Sequence, residues 1–109
     1  MVTIRRPGRD ATVVAWGSSV DVCLSVAEAW AGRGVDVEVV DLGPPAHVDE
    51  PGLLASVART KNAVIVDGGA ELACRIHEEL FADLEHAVQR VAAPVRRDEI
   101  ESALLRILT

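Results

Sequence analysis

Two short runs of small residues carry the clearest chemical potential in this chain. Gly17-Ser18-Ser19 and Asp67-Gly68-Gly69 each close an apolar run and open a segment of helical periodicity. Free backbone N–H groups at the start of a helix attract anions, and residues without bulk let a ligand approach the backbone. Gly17, Ser18, Ser19, Gly68 and Gly69 are therefore the candidate anion site. The same residues also serve as tight turns and helix caps, a role that needs no ligand.

The remaining reactive side chains are sparse. His47 stands in a proline-rich stretch beside Asp49 and Glu50, a combination that can hold a metal ion. The prolines mark a solvated loop, and no metal ligand is assigned. His77, next to Glu78 on a helical stretch, is expected at the surface. Asp41 and Asp67 each end a strand-like run, as the phospho-acceptor of a receiver domain does. A receiver also needs an acidic pair after its first strand, where this chain has Trp16-Gly17. The nucleophile-elbow, dinucleotide and P-loop patterns are absent. No catalytic residue is assigned.

These residues must be positioned by alternating elements. Val2 and Ile4 alternate with Thr3 and Arg5, an edge-strand pattern, and Pro7-Gly8-Arg9-Asp10 is a turn. Thr12 to Trp16 is apolar after its first residue, as in a strand covered on both faces. Val20, Cys23, Leu24, Ala27, Trp30 and Ala31 then form one helical stripe, capped by Ser18 or Ser19 and stopped by Gly32 and Gly34. Val35 to Leu42 reads as a strand. Pro51 suits the first turn of a helix carrying Leu53, Leu54 and Val57. Ala63 to Asp67 is the next strand. Leu72, Ala73, Ile76, Leu80 and Leu84 repeat at helical spacing, and Ala87 to Val91 is a weaker strand. Asp98 and Glu101 have capping-box spacing before a last helix carrying Ile100, Ala103, Leu104, Ile107 and Leu108. Strands alternating with helices predict an α/β fold, a mostly parallel sheet with helices on both faces.

A length of 109 residues suits one domain spanning 1–109. With 3% aromatic residues, the core must be built from Val, Leu, Ala and Ile. A net charge of −6 disfavours nucleic acid, which requires clustered Lys and Arg. The basic run Arg5, Arg6, Arg9 and the doublet Arg96-Arg97 read as solvated surface. Cys23 and Cys74 form no Cys-x-x-Cys pair, which argues against a disulfide framework or zinc site. No segment has the length and apolarity of a membrane span or signal peptide, so a cytoplasmic protein is expected.

The order of several short motifs resembles the C-terminal domain of transketolase-like thiamine-diphosphate enzymes, especially the beta subunit of the 2-oxoacid dehydrogenase first component. Gly8-Arg9-Asp10 matches a Gly-x-Asp turn, and Trp16-Gly17-Ser18 an aromatic-Gly-Ser strand end. Glu38-Val39-Val40-Asp41-Leu42 matches the next strand. Val48-Asp49 and Ser56-Val57-Ala58-Arg59-Thr60 fill the later places. The chain departs from the pattern with Gly43-Pro44 where Arg-Thr is usual, and with clipped loops at Asp67-Gly68-Gly69 and Ala92-Ala93-Pro94-Val95.

The resemblance implies a three-layer α/β/α sandwich whose five-stranded, mostly parallel sheet has order 1-3-2-4-5, the first strand antiparallel. The candidate anion site then falls at the topological switch point. Right-handed crossovers would put the helix from Ser19 on one face and those from Pro51 and Ala70 on the other. Cys23 and Cys74 would then lie too far apart to pair.

The resemblance also implies a function: a non-catalytic C-terminal domain or subunit of a split thiamine-diphosphate-dependent transketolase or 2-oxoacid dehydrogenase. The Gly-Asp-Gly…Asn segment that holds the diphosphate and metal is missing here. No cofactor is therefore expected on this chain. Thiamine diphosphate and magnesium would sit in partner subunits that bind the diphosphate and the pyrimidine, with a lipoyl or carrier protein as a further partner. The alternative is a free-standing small-anion-binding or regulatory module derived from that domain.

Overall fold

The computed structural model describes residues 2–43, 50–66, 70–92 and 95–108. Its elements are β1 (Thr3–Arg6), β2 (Ala11–Ala15), α1 (Ser19–Ala31), β3 (Val37–Asp41), α2 (Glu50–Thr60), β4 (Ala63–Val66), α3 (Ala70–Leu80), β5 (Gln89–Val91) and α4 (Arg97–Leu108). The sheet order is β1-β3-β2-β4-β5, with β1 antiparallel to β3 and the other pairs parallel. Both features agree with the expected fold.

Strand alternation divides the core. Ala11, Val13, Ala15, Val37, Val39, Val64 and Val66 meet Val20, Cys23, Val26, Ala27 and Trp30 of α1 and Ile100, Ala103, Leu104 and Ile107 of α4. The opposite face puts Val14, Val40, Ala63 and Ile65 against Leu53 and Val57 of α2 and Ala73, Ile76 and Leu80 of α3. Successive strand residues point to opposite faces, so these purely apolar strands serve both layers at once. Cys23 and Cys74 are free and belong to helices on opposite faces, as the handedness rule requires.

Several local expectations are corrected. Ser18 is itself in helical conformation (φ −66°, ψ −19°) and makes no side-chain cap bond. Its dihedrals leave the side chain outside the extended geometry that a cap requires. The helix ending at Gly32 has Val35 N–H returning to Trp30 O (3.1 Å), which delays β3 until Val37. Helix α3 stops at Leu80 rather than running to Leu84. The N–H groups of Asp83 and Leu84 both turn back to Leu80 O (2.8 and 3.1 Å). Helix α4 begins at Arg97, so Asp98 lies inside its first turn and cannot be an N-cap. Glu101 instead accepts from Arg97 Nε (3.3 Å) and Trp30 Nε1 (3.4 Å), tying α4 to α1. Arg6 is no solvated residue: Nη1 donates to Val37 O (2.8 Å) and Asp36 Oδ1 (3.1 Å).

Candidate functional site

Of the residues expected to form an anion site, Gly17, Ser18 and Ser19 follow the carboxyl end of β2. There Gly17 adopts φ +62°, a left-handed conformation suited to glycine, and its carbonyl accepts Val20 N–H (3.2 Å). Ser18 is exposed and Ser19 is buried. Gly68 and Gly69, together with Asp67, lie outside the described residues, as do His47 and Asp49. Of the candidate residues, the structure therefore describes Gly17, Ser18 and Ser19. On the same edge Asp41 Oδ1 accepts Gly43 N–H (2.9 Å), with Gly43 at φ +71°. Asp41 thus forms a turn.

The denser polar assembly lies at the opposite, amino-terminal edge. Thr12 on the central strand is in register with Glu38 on β3 and Ala63 on β4. Glu38 is fully buried, and water cannot solvate its charge. Four groups do so instead. Gly8 N–H donates to Oε1 (3.1 Å), Ser56 Oγ donates to Oε2 (2.5 Å), and Arg59 donates from Nη2 to Oε2 (2.9 Å) and from Nη1 to Oε1 (3.4 Å). A carboxylate only accepts, so Ser56 must donate to it. Ser56 Oγ is then free to accept from Thr12 Oγ1 (3.0 Å), and Thr12 Oγ1 from Thr60 Oγ1 (2.8 Å). The result is a chain of hydroxyls polarised toward Glu38 under the sheet.

Ser56 and Thr60, four residues apart on one helix face, both take part, and Arg59 reaches the carboxylate from the rim. Gly8 lets this edge close: a Cβ there would lie 2.5 Å from Glu38 N and from Val37 C. Asp10 completes the turn by accepting Asp36 N–H (2.7 Å) at Oδ2. Among the described residues every buried side-chain nitrogen and oxygen has a partner.

Beside this assembly opens a cleft of about 460 Å³, lined by Arg9, Asp10, Arg59, Lys61, Asn62, Glu85 and His86 among others. Asn62 is its buried floor, with Nδ2 donating to Asp10 O (3.2 Å) and Glu85 Oε1 (2.9 Å) and Oδ1 facing His86 Nδ1 (2.9 Å). Lys61, at the cleft rim, has φ +65°. His77, expected at the surface, is half-buried and accepts Val88 N–H at Nε2 (3.0 Å), joining α3 to the approach of β5.

Two groups have shifted acidity. Burial pushes the Cys23 thiol up to about 12, which keeps it protonated and unreactive. The hydrogen bond from Arg6, against a smaller opposing effect of burial, holds the Asp36 carboxyl below its ordinary value. The charges of Arg6 and Arg9 add to the lowering.

One antiparallel edge strand on a parallel sheet, helices on both faces and a buried carboxylate–hydroxyl lock define the class: a small three-layer α/β domain. The profile of the family "Transketolase, C-terminal domain" matches residues 1–106, and the chain belongs to that family. It is 43% identical over 96 residues to the pyruvate dehydrogenase E1 component subunit beta of Leifsonia xyli, covering 82% of this chain and 28% of that protein. It is 39% identical over 95 residues to the 3-methyl-2-oxobutanoate dehydrogenase subunit beta of Mycobacterium tuberculosis, covering 80% of this chain and 27% of the relative. The chain thus spans less than a third of the length of these relatives. In fold it is similar to a split gene transketolase solved as an inactive beta4 tetramer (TM-score 0.80, 20% identity, 99% of this chain and 41% of that one). It is also similar to the 2-oxoglutarate:ferredoxin oxidoreductase of Magnetococcus marinus (TM-score 0.67, 12% identity, 100% and 19%).

Proposed function

We propose that this chain is the non-catalytic C-terminal portion of a thiamine-diphosphate-dependent assembly of the 2-oxoacid dehydrogenase or transketolase type. The observation that carries the reading is where the family's motif residues go. Gly8, Asp10, Glu38, Ser56, Arg59 and Thr60 all contribute to holding β1, β3 and α2 together at one edge. They build a rigid scaffold, which is what a domain needs when it serves assembly rather than chemistry. Its cofactor, thiamine diphosphate with magnesium, then belongs to partner subunits that bind the diphosphate and the pyrimidine. The acceptor is a lipoyl arm or another carrier. No helix among the described residues is long and apolar enough to cross a membrane, and the cytoplasm is the proposed compartment.

The test is gentle purification from native cells with mass spectrometry of co-purifying chains. Stoichiometric recovery of a thiamine-diphosphate-binding subunit is the expected result. A stable monomer recovered alone overturns this reading in favour of a free-standing module. Calorimetry adds a second check: tight magnesium-dependent binding of thiamine diphosphate to the isolated chain would contradict the placement of the cofactor on partners.

A further inference from the structure

We propose that the cleft at the amino-terminal edge of the strands binds a small phosphoryl oxyanion, either free phosphate or a phosphate monoester. It lies at the end of the sheet opposite Gly17, Ser18 and Ser19, and it does not depend on the subunit assignment.

Arg9, Arg59 and Lys61 line the cleft of about 460 Å³ together with Asp10 and Glu85. One oxygen of each carboxylate in the lining already holds a donor. Asp10 Oδ2 takes Asp36 N–H, and Glu85 Oε1 takes Asn62 Nδ2. Two of the last carbonyls of α2 are engaged as well, which reduces the unfavourable pull of that helix end on an anion. Val57 O accepts from Lys61 N–H (2.6 Å) and Thr60 O from Asn62 Nδ2 (3.5 Å).

Its donors are left over. Lys61 is exposed, and its ammonium makes no ion pair among the described residues. Arg9 keeps a side chain that is 90% exposed and uses only Nε on Asp36. Arg59 spends one bond from each terminal nitrogen on Glu38, and a guanidinium has five N–H groups. The buried carboxylate fixes this guanidinium in place. Asn62 Oδ1 is an amide oxygen and only accepts, so His86 Nδ1 donates to it. That leaves His86 Nε2 able to accept the P–OH proton of a hydrogen phosphate. Three cations against two carboxylates in the lining leave the cleft with surplus donors, which match a compact ligand that is almost entirely acceptor.

Lys61 supplies an independent observation. It follows the end of α2 in the left-handed conformation that glycine usually fills, at φ +65°. The fold alone would be served better by glycine. A lysine there sets a cation on the cleft rim at a conformational cost.

The experiment is a two-dimensional ¹⁵N NMR titration of the chain with inorganic phosphate and, separately, with glycerol 3-phosphate. Sodium chloride at matched ionic strength is the control. Saturable shifts centred on Lys61, Asn62 and His86 are expected. Tighter binding of the ester identifies a phosphate monoester as the ligand class, and equal or tighter binding of inorganic phosphate identifies free phosphate. The Lys61→Gly variant, which should fold at least as well, is expected to bind about ten-fold more weakly through loss of one charged donor. Arg9→Ser, at an exposed position, should weaken binding in the same direction. Shifts that chloride reproduces, shifts centred on Gly17 to Ser19, or undiminished binding by Lys61→Gly would overturn the proposal.

Discussion

Arg59 Nη2 lies 2.9 Å from Glu38 Oε2, joining a half-exposed cation to a carboxylate with no solvent exposure. The pair is asymmetric, and its two halves should fail differently. In Arg59→Ala the buried charge loses its counter-ion and keeps only the Gly8 and Ser56 donors. Breaking a fully buried pair costs about 3–5 kcal/mol, and the solvent at Arg59 discounts this to roughly 2–3 kcal/mol. In Glu38→Gln the orphaned cation can turn to water, so a smaller loss of about 1–2 kcal/mol is expected. Urea unfolding of the two variants measures the difference. Equal destabilisation would mean that the cation contributes nothing beyond a neutral hydrogen bond.

The strand and helix order was legible because each element has an unmixed apolar period. The role of the polar motif residues was not. Thr12, Glu38, Ser56 and Thr60 are separated by up to 48 residues, and only the parallel register brings them together. A signal was present: Thr12 and Glu38 are the polar residues in strands that are otherwise apolar on that face. A buried polar residue implies a partner, though its identity depends on tertiary packing. The helix stop at Leu80 was hidden for a related reason. Leu84 keeps helical spacing yet packs against the same cluster from a turn. Of the candidate anion-site residues, Gly17, Ser18 and Ser19 are described, at the carboxyl end of β2. The cleft at the other edge was invisible because Arg9, the Arg59–Lys61 stretch and His86 come from three separate segments.

His77 should prove structural. Replacing it with alanine leaves Val88 N–H without its acceptor just before β5. A lost hydrogen bond of this kind costs about 1–2 kcal/mol. Amide hydrogen exchange should show Val88 losing protection more than residues of β2. Unchanged protection at Val88 would show that water replaces the imidazole without penalty.

The two thiols should be kinetically distinct. Cys74 is exposed, while Cys23 is buried with its thiol held up to about 12. A disulfide reagent at mildly alkaline pH should therefore modify one thiol per native chain rapidly and the second only on unfolding. Rapid modification of both in the native state would contradict the packing of α1 against the sheet.

Asp36 should shape the acid side of the stability profile. Its ordinary value is 3.8, and the Arg6 hydrogen bond lowers it in the folded state. A carboxyl with a lowered folded value stabilises the native state above the unfolded value. That contribution is lost as pH falls through the folded one. Asp36→Asn should therefore be less stable than the parent at neutral pH, and the gap should close below pH 3.8. Because Asp36 is one-third exposed, added salt should narrow the gap as well. A gap that stays constant across the acid range would mean the carboxylate charge has no part in it.

Lys61 offers the sharpest separation of stability from binding. A non-glycine residue in the left-handed region costs about 1–2 kcal/mol, and glycine removes that cost. Glycine also gives the unfolded chain more freedom, which returns about 0.4–1 kcal/mol of the gain. Lys61→Gly should therefore stabilise the fold by roughly 0.5–1 kcal/mol. Its backbone N–H still closes the end of α2 on Val57 O, so the helix terminus is unaffected. A denaturant midpoint shifted upward with an unchanged slope is the expected outcome. If the midpoint falls instead, the lysine side chain is making a stabilising contact at the end of α2, and its ammonium is not free to meet a ligand in the cleft.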